Sequence, residues 1–283
     1  MRGQPGLFDV DERLQRLSEL GDQLLAFAGA VNFEIFRPEL DSGDTPSFTS
    51  IRRHVTTSPM TRIARVVVPG VPHHVTQRGN RGEPIFAGAD DYALYRDWLG
   101  EACRRYGVAV WAYCQMPNHV HLILTPSDAE GLALALSRAH RLYSGFVNAR
   151  ARRTGHLFQG RYGSVAMDEA HLLAAARYVA LNPVRARLVA DPRDWPHSSV
   201  AAHLAGRDDG LVAVRPLLER VADFADLLAA DADDPAFAPL RRAELIGRPL
   251  GAPAFVAAVE ARLGRRLAPG KRGRKPRGGA EAG

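Results

Sequence analysis

The 283-residue chain can bury one or two cores, and its 46% apolar and 24% charged residues fit a water-soluble globular protein. The net charge of +6 favours a polyanionic partner over an acidic one. No apolar run approaches the roughly 18 residues of a membrane span, and Cys103 and Cys114 alone make no disulfide framework or zinc-finger spacing, which points to a reducing cytoplasm.

Residues 1–59 read as a foreign or weakly ordered N-terminal extension. They hold 6 Arg against 9 Asp plus Glu, a net of −3, whereas residues 60–200 hold 17 Arg against 11 acids, a net of +6. "DERLQRLSELGDQLLAFAGAV" has helical spacing, but the turn-rich "RPELDSGDTPSFTS" after it leads into no periodic pattern. The stretch "MRGQPGLFDVDERL…VNFEIFRPEL" resembles the opening of DDE-type insertion-sequence transposases without their catalytic domain, so Met60 is expected to begin the working protein.

From Met60 the pattern alternates. Val71–Arg78 predicts a strand and "NRGEP" a turn. Asp90–Tyr106 predicts a helix, acidic in its first turn and basic in its last. Val108–Cys114 and His119–Thr125 predict strands joined at Pro117-Asn118, an antiparallel hairpin. Gly131–Arg153 predicts a long amphipathic helix, and "GHLFQGRYGSVAM" a loop with a strand. Asp168 caps a helix to Leu181 that Asn182-Pro183 is expected to stop. Strand, helix, strand, strand, helix, strand is the order of a ferredoxin-like α+β domain with an antiparallel sheet. Residues 60–205 are taken as this domain, 206–265 as a helical C-terminal region, and 266–283 as a disordered basic tail.

Strand alternation puts His119 and His121 of "PNHVH" on one face with Val120 on the other. Neutral imidazole is a common metal ligand, so the pair could hold one divalent ion; the alternative is two surface histidines at a strand end. In "RYVALNP", Tyr178 and Asn182 stand four apart, one turn along a helix face. The Asn182 carboxamide oxygen could complete a two-His, one-oxygen site for Mg²⁺ or Mn²⁺, with Tyr178 beside it. Taken singly, Tyr178 reads as a core aromatic and Asn182 as a helix C-cap; the conjunction with His119 and His121 favours the site. A phenol is a poor nucleophile at neutral pH unless a metal makes its partner more electrophilic.

The ordered blocks "ARVVVPGVPHHVTQRGNR", "VWAYCQMPNHVHLIL", "GHLFQGRYGS", "MDEAHLLAAARYVALNPVRARLV" and "DWPHSSVAAH" resemble the REP-associated tyrosine transposases, single-strand transposases of the HUH superfamily, over roughly residues 60–205. The resemblance implies that His119, His121 and Asn182 are metal ligands and that Tyr178 is the nucleophile. It implies cleavage and rejoining of single-stranded or hairpin DNA through a 5′-phosphotyrosine, a cytoplasmic, nucleoid-associated enzyme, and a homodimer as a further expected partner. A single tyrosine at the nucleophile position excludes a two-tyrosine relay. A catalytically silent DNA-binding protein is the alternative, and a metallo-phosphoesterase a third reading.

DNA contacts are expected from three places. "HHVTQRGNRGEP" offers Arg78, Asn80 and Arg81, with at most one of His73 and His74 facing the site. "HLFQGRYG" offers Gln159 and Arg161 among aromatics, with Phe158 a core residue, and Arg185 follows the Tyr178 helix. The tail adds Lys271, Arg272, Arg274, Lys275 and Arg277 as an electrostatic anchor. An Arg-rich codon preference would give similar charge without a role, since Lys occurs only at 271 and 275. Tyr143 and Tyr162 are rival nucleophiles without a ligand-type residue one turn later.

Overall fold

The computed structural model describes residues 65–229 and 234–267. The expectations for residues 1–59, for Met60 as a start, and for Lys271, Arg272, Arg274, Lys275 and Arg277 lie outside these residues.

Seven elements make the domain: β1 (His73–Arg78), α1 (Ala89–Arg105), β2 (Val108–Met116), β3 (His119–Pro126), α2 (Gly131–Arg150), β4 (Gly163–Ala166) and α3 (Glu169–Ala180). Short helices follow: α4 (Asn182–Arg185), α5 (Val200–Leu204), α6 (Arg215–Leu218), α7 (Phe224–Leu228), α8 (Phe237–Ile246) and α9 (Pro253–Leu263). The sheet order is β2-β3-β1-β4 with every pairing antiparallel, the ferredoxin-like arrangement that the element order predicts. Met116 pairs with His119 across the two-residue Pro117-Asn118 link, so the hairpin register brings His119 to the sheet's end.

The sheet is covered on both faces, which explains why β3 is apolar almost throughout. One face packs Val75, Val120, Leu122 and Leu124 against Tyr95, Leu99, Leu136 and Tyr143 of α1 and α2. The other packs Cys114, Ile123 and Val165 against Leu172, Ala176 and Val179 of α3 and Phe237 of α8. Each fully buried leucine contributes about 2 kcal/mol, so the apolar strands cannot slip register without exposing a face. His74 lies opposite Ile123 and His121 opposite Thr76, so the histidines sit on the α3 face.

One helix end differs from the expectation. The long helix stops at Arg150 rather than Arg153, because Arg152 adopts a left-handed φ of 49° and the Arg153 N–H closes on the Asn148 carbonyl. α3 ends at Ala180 with Leu181 as its C-cap, next to Asn182-Pro183 as expected, and a new short turn starts there. Leu181 keeps near-helical angles, Pro183 enters the first turn of α4, where it has no N–H to lose, and the Ala186 N–H closes on the Asn182 carbonyl. Asp168 caps α3 as expected, accepting from the His171 N–H at 3.0 Å.

Candidate active site

α3 lies across the sheet and carries Tyr178 onto the histidine face. The Tyr178 ring meets the His121 ring edge to face with centroids 5.4 Å apart, and the His74 ring at 5.8 Å. His119 stands 4.9 Å from His121, centroid to centroid. Asn182 is buried about one turn beyond Tyr178. The structure therefore brings Tyr178, His119 and His121 together, with Asn182 following on the same stretch of chain.

The hydrogen bonds decide which nitrogens are free. The Asn118 amide donates from Nδ2 to the Gly82 carbonyl at 2.9 Å, which fixes its orientation and turns Oδ1 toward His119 Nδ1 at 2.6 Å. An oxygen that can only accept requires His119 to carry its proton on Nδ1, leaving the Nε2 lone pair free. His121 Nδ1 lies 3.0 Å from His74 Nε2, so its Nε2 too is clear of that contact. His74 Nδ1 faces Glu244 Oε1 at 3.3 Å but off hydrogen-bonding geometry; both atoms are buried and neither has a hydrogen-bond partner.

Burial sets the charge of these groups. It lowers His119 and His74 to about 4 and about 3, with Arg78 a secondary cause at His119, and holds His121 well below its ordinary value. All three are thus neutral near pH 7, the form that binds metal. Burial raises Glu244 to about 7 against the opposing charges of Arg185 and Arg241. Burial, then Glu244, raises the Tyr178 phenol; the Arg185 guanidinium, 4.6 Å over its ring, opposes them.

Among the described residues, His74, His121 and Glu244 are the cluster whose ligand atoms converge, all within 4.8 Å of one another. Two of its atoms, His74 Nδ1 and Glu244 Oε1, are buried without a hydrogen-bond partner, and with the freed His119 Nε2 nearby this donor chemistry suits a divalent cation. The sequence reading raised His74 only as a possible DNA contact and missed Glu244. The β1–β3 register puts His74 on the His121 face, and nothing in the chain marks Glu244, which arrives from α8 through tertiary packing.

The expected DNA contacts divide between clefts. Arg78, Gln159 and Arg161 line one of about 450 Å³, whose wall includes Thr76 and Glu244. Asn80 and Arg81 line another of about 220 Å³ with Arg153 and His156. Arg185 sits on the Tyr178 and Phe237 rings instead. Phe158 is core, as expected. Tyr143 is buried on the opposite face and donates to the Ile85 carbonyl at 2.7 Å, so it cannot serve this site. Tyr162 packs under Arg65, whose guanidinium is 3.7 Å from the ring centroid.

Residues 68–182 match the family model described as "Transposase IS200 like", a segment that holds His74, His119, His121, Tyr178 and Asn182 but ends before Glu244. A REP-associated tyrosine transposase bound to a REP hairpin is similar in structure at 18% identity, over 61% of this chain and 93% of that one, with a TM-score of 0.47. A crystal structure of a protein from Deinococcus radiodurans R1, described there as a transposase, is similar at 20% identity, over 41% of this chain and 94% of that one, with a TM-score of 0.31. No curated protein sequence matches the chain. Among the described residues no helix is long and apolar enough to cross a membrane.

Proposed function

We propose, from the match of residues 68–182 to the IS200-like transposase model, that the chain is a metal-dependent strand transferase that cleaves and rejoins single-stranded or hairpin DNA with Tyr178 as nucleophile. The observation that carries this reading is the edge contact between Tyr178 and His121, beside a His119 whose Nε2 is free.

The Tyr178 oxygen attacks the phosphorus of the scissile phosphodiester. The Tyr–O–P bond forms, the P–O3′ bond breaks, and the phenol proton is balanced by protonation of the departing 3′-oxygen. The strand is left with a 5′-phosphotyrosine and a free 3′-hydroxyl. Attack by a 3′-hydroxyl reverses the step, so bond energy is kept and no nucleotide cofactor is required. His119, His121 and Asn182 would hold Mg²⁺ or Mn²⁺, which supplies charge neutralisation and polarises the phosphate oxygen. Burial and Glu244 keep the Tyr178 phenol above its ordinary value, and Arg185 opposes that rise.

Arg78 and Arg161 are positioned to take backbone phosphates and Gln159 a base edge, in the cleft that reaches Glu244. Asn80 and Arg81 extend this surface, and the tail residues add a nonspecific term that salt weakens. A homodimer is part of the reading.

The test is a labelled hairpin-bearing single strand incubated with Mn²⁺ and run on a denaturing gel. The wild type forms a covalent adduct that EDTA abolishes. Tyr178→Phe loses about three or more orders of magnitude in rate while hairpin binding survives. A silent DNA-binding protein gives binding without an adduct, and a metallo-phosphoesterase gives cleavage without one.

A further inference from the structure

The two HUH histidines have their far ring nitrogens engaged in different ways. His119 is fixed by a neighbour, Asn118, within the same hairpin. His121 Nδ1 instead meets another imidazole, His74 Nε2, at 3.0 Å, with the rings stacked at an interplanar angle of 3°. An imidazole pair does not choose its own tautomer, because either ring can donate. If His74 donates from Nε2, His121 must carry its proton on Nε2, and that nitrogen cannot bind a cation. If His121 donates from Nδ1, its Nε2 lone pair is free.

The third member of the row biases the choice. His74 Nδ1 faces Glu244 Oε1 at 3.3 Å, close enough for its charge to act though off hydrogen-bonding geometry, and neither atom has another hydrogen-bond partner. A carboxylate accepts and cannot donate. It draws the His74 proton to Nδ1, which makes His74 Nε2 an acceptor and forces His121 to donate from Nδ1. We infer that Glu244 is a positioning residue that sets the metal-binding tautomer of His121 through His74. This rests on the proposed role of His119 and His121 as metal ligands. Its consequence is that α8, outside the family-matching segment, completes the site: the helix packs on α3 and β4, and brings the carboxylate to the row's end. Ligand histidines elsewhere have the same support, their second nitrogen donating to a carboxylate or carbonyl that fixes the ring. Here the support acts through an intervening ring.

The experiment uses full-length protein labelled with ¹⁵N-histidine at pH 8. Long-range ¹H–¹⁵N spectra report each tautomer, ¹¹³Cd²⁺ serves as the probe of ligation, and Mn²⁺ titration gives affinity. The expected wild-type result is a free His121 Nε2 without metal, and ¹¹³Cd couplings to His119 and His121 but not to His74. Glu244→Leu, which removes the acceptor altogether, is expected to shift His121 toward the Nε2–H tautomer. It should weaken Mn²⁺ binding about 10–100-fold, with a cooperative melting transition retained. Mn²⁺ affinity within twofold of wild type, with the His121 tautomer unmoved, overturns the inference and leaves the metal reading intact. A ¹¹³Cd coupling to His74 also overturns it, since the cation then sits directly among His74, His121 and Glu244. No coupling to His119 or His121 in the wild type overturns the metal reading, and this inference with it.

Discussion

The Asn118 carboxamide and the His119 ring are adjacent in sequence, and their 2.6 Å contact commits His119 Nε2 to face outward as a lone pair. Asn118 is itself held by the Gly82 carbonyl, so the turn after β1 helps orient a histidine of β3. Asn118→Ala is expected to weaken Mn²⁺ binding by about tenfold or more while leaving the fold intact. Isothermal titration with Mn²⁺ checks it; an unchanged affinity would mean that His119 orients without its neighbour.

The corner after β1 has no room for a side chain. A Cβ on Gly79 would meet the Glu83 carbonyl oxygen at 2.2 Å and Ile85 Cγ2 at 2.8 Å. The first of these is backbone and cannot swing away. Gly79→Ala should therefore cost roughly 1–3 kcal/mol of stability, read by denaturant unfolding. It should also weaken DNA binding by displacing Arg78 and Arg81.

Asp91 ties the start of α1 to the end of α2. Its side chain is 3% exposed and accepts from Arg150 at 2.7 Å and from the Ala87 N–H at 2.7 Å. Because Arg150 is 44% exposed, screening reduces the pair, and Arg150→Ala should cost about 1–2 kcal/mol. The Arg150 hydrogen bond holds the Asp91 carboxyl below its ordinary value. A depressed folded-state value stabilises above the unfolded carboxylate pKa and is lost as pH falls through the folded one. The stability gap between wild type and Arg150→Ala should hold near pH 6 and narrow below about pH 4. A gap that grew on acidification would contradict this assignment.

Arg161 is exposed on the wall of the cleft that ends at Glu244. If it neutralises one phosphate, Arg161→Ala should weaken binding across sequences and lower the salt slope by about 0.7 for a single strand. Binding measured across a salt series checks this. A loss confined to one sequence would assign Arg161 to a base instead.

The legible part of this protein was local. Alternation in "HHVTQR" and "HVHLIL" gave the strands, the Pro117-Asn118 link gave the hairpin, and Asp168 gave the α3 N-cap. The spacing of His119, His121 and Tyr178 named groups that do meet on one face, with Asn182 buried on the turn after Tyr178. The end of α2 was less legible: it closes on a left-handed Arg152, a residue type that does not mark a helix end. Least legible was the support behind the histidines. His74 and Glu244 meet only because the sheet order sets β1 beside β3 and α8 packs below. No spacing within one element encodes that.

The most direct test of the central claim is the identity of the residue that carries DNA. The adduct formed with Mn²⁺ and a hairpin-bearing strand is digested, and the peptide bearing a 5′-phosphonucleotide is sequenced by mass spectrometry. The modification is expected on Tyr178. A nucleotide on Tyr143 or Tyr162, or strand cleavage that leaves every tyrosine unmodified, would contradict it.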